Sequence, residues 1–293
     1  MPGEASDISG WIGRSELRLD RLAAGPLDRL SATLDRGDAP YRPGDAAPPL
    51  AHWLCFLPDD AQSALGPDGH AARGGFLPPI HDLPRRMWAG SRIAFPGEIR
   101  VGMDLARRST IASVQRKQGA AGPLAFVTVR HEIGEPDGPP LIVDEHDIVY
   151  RGLAGPAAKA AAATSEAGDW RRDLVPDAAL LFRYSALTFN SHRIHYDRDY
   201  VTKAEGYPGL VVHGPLITTL LVDLVRRNLP GARIESFAFR ALSPLFDGRG
   251  MSVNGIAPAA DGVVKLWAAN DEGGVAMKAE AKIAAAPSGI AAK

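Results

Sequence analysis

The chain has 293 residues, enough for one large domain or two of roughly 100–150 residues each. Its formal net charge of −1 gives no electrostatic reason to expect nucleic acid as a partner. One cysteine, Cys55, excludes an intrachain disulfide and a Cys-based zinc site, and no apolar run approaches the roughly 20 residues of a membrane span. No basic region followed by an apolar core opens the chain, so cytoplasmic residence is the expectation.

In chain order, Leu27, Leu30 and Leu34 fall at helical spacing and predict a short amphipathic helix with Gly37 as its stop. Residues 40–50 are rich in Pro and Gly and read as a loop. Residues 53–57 form a short apolar segment in which Cys55 reads as a small packed hydrophobe. A long Gly/Pro-punctuated stretch then runs to about Pro84 and includes L-G-P-D-G-H; ordered loops of that length tend to carry function. Arg85, Arg86 and Trp88 follow, two cations beside an aromatic ring, suited to a phosphate or an adenine face, or simply a basic turn.

Residues 91–95, 107–115, 123–131 and 141–150 are successive strand-like runs separated by Gly- and Pro-rich turns, which predicts an antiparallel meander. His131 and His146 fall in or at the ends of these runs and read as structural or solvated. Residues 152–169 are poor in large apolar side chains and read as a linker, part of it helical because of its alanines. It divides an N-terminal unit, 1–151, from a C-terminal unit, 170–293.

In the second unit residues 179–184 read as a strand leading into residues 187–215. That stretch gathers three of the eight histidines (His192, His195, His213), with Asn190, Tyr196 and Tyr207. Residues 214–228 give the strongest helix signal: Pro215 at the first position, Arg226 and Arg227 in the last turn, Pro230 just beyond. The helix is so apolar that it must be wrapped on most sides. Strand-like runs at 233–241, 251–256, 263–270 and 275–283 follow, then a tail after 285 of small residues that reads as frayed. Each half therefore reads as a helix plus an antiparallel sheet. This is an α+β layout of double hotdog type, repeated in layout but not in residue identity.

The run F-R-Y-S-A-L-T-F-N-S-H-R-I-H-Y-D with V-V-H-G-P-L resembles the hydratase-2 signature of the MaoC-like family. The resemblance is closest to the double-hotdog branch, which includes mesaconyl-C4-CoA hydratases and type 2 3-hydroxyacyl-thioester dehydratases. L-G-P-D-G-H and P-R-R-M-W-A-G-S resemble the degenerate first hotdog of that branch. The resemblance implies an acyl-CoA hydro-lyase that adds water to an enoyl-CoA, with mesaconyl-C4-CoA to citramalyl-CoA the leading reaction, a CoA thioester as partner, and no cofactor or metal. A possible homodimer is left open. In the general pattern an aspartate lies five residues before the catalytic histidine; Asn190 and His195 occupy those positions here.

A neutral histidine can take a proton from water near pH 7, so His195 is the candidate general base, and Asn190 the residue that positions the water through its carbonyl. Gly214, at the start of the apolar helix, is the candidate backbone donor to the developing enolate oxygen, with His213 as support. Arg193 and Arg240 are candidates for holding a second carboxylate on the acyl group, and Tyr196, Arg86 and Trp88 for other substrate contacts. Other readings are a dehydratase of fatty-acid synthesis, a hotdog thioesterase, which would need a carboxylate beside His195, and a non-catalytic acyl-thioester binding module.

Overall fold

Strand pairing joins the two halves of the chain into a single sheet. The computed structural model describes residues 8–119, 122–152, 162 and 167–284. The first half contains β1 (Ser15–Arg21), α1 (Ala24–Thr33), β2 (Arg85–Ala94), β3 (Asp104–Gly119), β4 (Gly122–Gly134) and β5 (Ile142–Arg151). The second contains β6 (Trp170–Leu174), α2 (Ala178–Thr188), α3 (Arg198–Lys203), α4 (Gly214–Asn228), β7 (Ile234–Ala241), β8 (Met251–Ile256), β9 (Val263–Asn270) and β10 (Val275–Ile283). The ten strands lie in the order β1-β3-β4-β5-β2-β7-β10-β9-β8-β6. Read outward from the centre, both halves repeat one order, so each strand has its counterpart five strands later.

The two halves meet where β2 and β7 pair antiparallel, from Gly90↔Arg240 to Ala94↔Ser236. A Cβ on Gly90 would lie 2.4 Å from the Phe239 carbonyl oxygen, so only glycine lets the strands close at this seam. Alternation along β7 then points Phe237 and Phe239 into the core and Arg240 to the opposite face.

Helix α4 is the core of the second half. Every residue from Leu216 to Val225 is buried, and the helix packs on β6, β8, β9 and β10. Its one buried charge, Asp223, is matched by Arg36 at 2.6 Å, Arg172 at 2.9 Å and Arg227 at 2.6 Å. Those cations come from the loop after α1, from β6 and from α4 itself, so the carboxylate ties three segments together.

Three expectations change. Residues 179–184 belong to helix α2, not to a strand: the Asp177 carboxylate caps it by accepting from Leu180 N–H at 2.7 Å, and Leu181, Tyr184 and Ser185 are buried at i, i+3 and i+4. Helix α1 stops at Thr33 because Asp35 turns into the left-handed region (φ +53°), two residues before Gly37. Most consequentially, α1 is the counterpart of α2, on which it packs, and the described residues of the first half include no equivalent of α4. A connection with short 3₁₀ turns at Ala51–Leu54 and Gln62–Ala64 stands in its place, and Ile80 and Leu83 from it pack on Ile111, Val127, Val129 and Tyr150.

This half also buries a polar cluster. Asp144 Oδ2 accepts from Trp53 Nε1 at 2.9 Å and lies 3.1 Å from His52 Nε2 and 2.8 Å from His146 Nε2. Burial alone would raise the Asp144 pKa, but His146 and His52 hold it well below the ordinary carboxylate range. Cys55 is buried too, and burial pushes its thiol up to about 12, as expected of a packed hydrophobe. The helical expectation for the 152–169 connection and the tail after 285 lie outside the described residues, apart from 152, 162 and 167–169 of the former.

Candidate active site

Residues 187–215 link α2 to α4 and fold over the start of α4. Phe189, in the left-handed region (φ +48°), ends α2, and the chain reverses through an Asx turn in which Asn190 Oδ1 accepts from His192 N–H at 2.9 Å. One 3₁₀ turn, Arg193–His195, follows and delivers His195 to the interior, where it is 7% exposed. Helix α3, capped by Asp197, leads the chain away, and residues 210–213 bring it back beneath the imidazole.

The tautomer of His195 follows from its one hydrogen bond. Nδ1 lies 2.7 Å from the Val211 carbonyl, which can only accept, so Nδ1 carries the proton and Nε2 presents its lone pair. Burial holds the His195 pKa at about 3 against the opposing pull of Val211, with His192 and His70 lowering it further. His195 is therefore a neutral base across the physiological range. Its ring stacks on His213 at 3.7 Å with an interplanar angle of 18°. His213 is fully buried, with Nε2 2.8 Å from Ser185 Oγ on α2. No carboxylate among the described residues hydrogen-bonds to His195.

Helix α4 opens immediately after His213. Pro215 has no N–H, and the Gly214 N–H makes no bond among the described residues, so it belongs to the free donors of a helix start. A Cβ built on Gly214 meets no atom within 4 Å outside the adjoining backbone, so the α-carbon at this helix start is uncrowded. A free donor at the helix start that follows His213, on which the buried His195 ring stacks, can stabilise an oxyanion formed by proton transfer.

The first half supplies the other wall. Asp68 O accepts from Arg193 N at 2.9 Å, and Gly69 O accepts from Ser191 Oγ at 2.5 Å. A Cβ on Gly69 would fall 1.9 Å from the Ser191 carbonyl oxygen, and its φ of +86° independently demands glycine. This fit sets His70, whose Nδ1 is 3.1 Å from Asp68 Oδ2, against His192 at a ring distance of 4.0 Å; His192 meets His195 edge-on at 5.4 Å. Burial, then His70, brings the His192 pKa down to about 3. The ligand atoms of Asp68, His70 and His192 lie within 4.8 Å of one another, a grouping with the composition of a metal site.

His195, Asn190, His213 and Gly214 thus come together, and the other expected residues are distributed differently. The Asn190 carbonyl spends one of its two lone pairs on the turn, and the Nδ2 amide makes no bond among the described residues, so a donor is offered to a ligand beside the expected acceptor. Arg193 is engaged within the loop: its guanidinium donates to Asp197 Oδ2 at 2.7 and 3.0 Å and to Pro67 O at 2.8 Å, and it covers the Tyr200 ring, so its charge is already matched by Asp197. Arg240 lies on the far face of the sheet from α4. Tyr196 is exposed and donates to Ser191 O at 3.1 Å. Trp88 faces inward among Trp53, His146 and Phe239 with its Nε1 bonded to Gly90 O, so it is not an outward platform for adenine. Reasoning from the sequence missed Ser185, Val211, Asp68 and His70; only the last two carried a signal, in L-G-P-D-G-H.

The duplicated strand order around one buried helix, with a base and an amide donor at that helix's start, defines the class: a double hotdog hydratase/dehydratase. The chain belongs to the hydroxyacyl-thioester dehydratase type 2 family, whose model it matches over residues 50–247. It is 45% identical over 245 residues to the mesaconyl-C(4)-CoA hydratase of Chloroflexus aurantiacus, covering 83% of this chain and 86% of that protein. It is also 45% identical over 73 residues, 24% of each chain, to the mitochondrial hydroxyacyl-thioester dehydratase type 2 of Schizosaccharomyces pombe. Among solved structures, a MaoC-like dehydratase from Phytophthora capsici superposes with a TM-score of 0.69 at 15% identity, covering 93% of this chain and 95% of that one. A double hotdog protein of Mycobacterium tuberculosis superposes with a TM-score of 0.60 at 14% identity, over 93% and 96% of the two chains. Fold and family agree, and the activity they carry is that of a hydro-lyase. No helix among the described residues is long and apolar enough to cross a membrane.

Proposed function

We propose that this hydro-lyase hydrates a short dicarboxylic enoyl-CoA, with mesaconyl-C4-CoA giving citramalyl-CoA as its reaction. The observation that carries the choice is the 45% identity to a hydratase of that substrate over 86% of the relative's length.

In this reading His195 Nε2 takes a proton from water as the water oxygen bonds to the β-carbon. The π electrons move through the α-carbon to the thioester oxygen, and the enolate is held by the Gly214 N–H. The imidazolium then returns its proton to the α-carbon, the thioester carbonyl re-forms, and the net change is addition of one water. One base serving both ends of the double bond makes the addition syn. Asn190 Nδ2 donates to the water oxygen and aims its remaining lone pair at the β-carbon, a role consistent with its free amide. The unbonded Gly214 N–H and the unprotonated Nε2 of His195 support these assignments.

The family description also accommodates a dehydratase of longer 3-hydroxyacyl thioesters. The test offers purified protein mesaconyl-C4-CoA, crotonyl-CoA and a longer enoyl-CoA and follows loss of the conjugated thioester absorbance. Preference for mesaconyl-C4-CoA is expected. Preference for the long chain would move the assignment to the dehydratase, and inertness toward all three would sink both.

A further inference from the structure

The wall that the first half lends to the site carries two imidazoles and a carboxylate that the hydration chemistry leaves unused. We infer that Asp68, His70 and His192 bind a divalent transition-metal ion of the zinc class, which ties the 66–70 loop of the first half to the active-site loop of the second. The inference is independent of which thioester the enzyme hydrates.

Each of the three side chains offers one ligand atom, and these atoms lie within 4.8 Å of one another; no other grouping of this kind occurs among the described residues. Ligand atoms 2.0–2.1 Å from a tetrahedral zinc ion stand roughly 3.3 Å apart. Asp68 Oδ2 and His70 Nδ1 already meet that spacing at 3.1 Å, and the His70 and His192 rings face each other at 4.0 Å with an interplanar angle of 39°. Ligation therefore asks for a closure of at most about 1.5 Å. Two imidazoles with one carboxylate select zinc and its transition-metal neighbours over calcium and magnesium, which prefer oxygen throughout. Three protein ligands leave the fourth position to water.

The ligands are held before any ion arrives. Asp68 Oδ1 accepts from the His70 N–H at 3.0 Å, which fixes the carboxylate and turns Oδ2 toward His70 Nδ1. Ligation through Nδ1 leaves the ring proton of His70 on Nε2. The bonds from Arg193 N to Asp68 O and from Ser191 Oγ to Gly69 O hold the two loops side by side, with Gly69 at the point of closest approach. All three ligand residues are partly exposed, so an ion can enter from solvent. Two of the guanidiniums on this side are committed elsewhere: Arg193 to Asp197, and Arg73 to the carbonyls of Ile80, Leu83 and Pro84. Arg86, the expected substrate contact on this side, lies on β2 in register with Tyr150. His192 meets His195 edge-on at 5.4 Å, so the ion would sit beside the base without taking its place.

The test strips the purified full chain with a chelator and dialyses it against zinc chloride at roughly micromolar free zinc, measuring bound metal and the thermal midpoint. We expect about one zinc ion per chain and a higher midpoint with zinc than without. Asp68→Asn keeps an acceptor for the His70 N–H but loses the charged ligand, and His70→Gln loses an imidazole while its amide can still donate to Asp68. Each variant, its fold checked by circular dichroism, should bind zinc at least about 10²-fold more weakly and lose the midpoint shift. A wild type that takes up no zinc overturns the inference whether or not the variants fold, and so does a folded variant that binds zinc as the wild type does. Because neither readout involves turnover, failure here is distinct from failure of the hydratase assignment.

Discussion

At the scale of single residues, burial has left His195 a weak base that is unprotonated in the free enzyme. Its pKa of about 3 moves the acid limb of kcat/KM for hydration well below the ordinary imidazole value of about 6.5. Hydration is expected to keep kcat/KM nearly constant from pH 8 to pH 5; an acid limb centred near 6.5 would show that the base is a solvated histidine instead. Gly214 makes a separate prediction. Its φ lies outside the left-handed region and an added Cβ meets no protein atom, so Gly214→Ala should leave the thermal midpoint within a few degrees of wild type or raise it. The methyl would crowd the approach to the amide, and we expect roughly 10²-fold lower kcat/KM. Loss of both fold and activity would mean that the residue is structural. Asn190 was visible in the sequence as the position where the general pattern has aspartate. That its carbonyl accepts from His192 N–H in a turn was not, because an Asx turn depends on backbone geometry.

At the scale of elements, what was legible was set by length and by range of contact. Helix α4 declared itself through Pro215, the basic last turn and ten consecutive residues that end up buried. Strands β7 to β10 are β-compatible runs bounded by Gly, Pro and Asp turns, and their bounds match within a residue. Helix α2 was misread because six residues of A-L-L-F-R-Y do not separate a helix from a buried strand; the 3.6-residue phase emerges only when Ser185 is included. Strand β1 was missed because Leu17 and Leu19 face solvent, so its pattern lacks a buried stripe. The contact between the 66–70 loop and residues 191–193 lies far apart in sequence and is invisible to local pattern. It nevertheless governs the wall of the site, and Gly69 is its narrowest point. Gly69→Ala should displace His70 from His192 and cost roughly 1–3 kcal/mol in denaturant-measured stability, with a rise in KM. An unaltered variant would show that the loop does not close on the motif in solution.

At the scale of the whole molecule, the described residues of the first half keep five strands of the sheet without a counterpart of α4. Where the second half buries the apolar α4, the first half buries the polar Asp144 cluster. The fold buries histidines in the neutral form: His192 and His195 near 3, with His131 and His213 well below the ordinary value, burial being the leading cause for all four. Below about pH 6.5 the unfolded chain takes up protons that the native state refuses, so stability must fall as pH falls from 6.5 toward 3. His195 alone accounts for about 2 kcal/mol between pH 7 and pH 5. Asp144, held ionised, adds its own loss only at lower pH, as its carboxylate is forced to protonate. A urea midpoint clearly lower at pH 5 than at pH 7 is the expected result; an equal or higher one would mean that the buried histidines are charged or solvated.

These scales converge on one imidazole, held by Val211, stacked on His213 and facing the first turn of α4. The most direct measurement is kcat/KM for mesaconyl-C4-CoA hydration by His195→Gln, with folding verified by circular dichroism. We expect a folded variant in which kcat/KM falls by roughly 10³-fold or more. A folded variant retaining activity within a few-fold of wild type would contradict the assignment of His195 as the base.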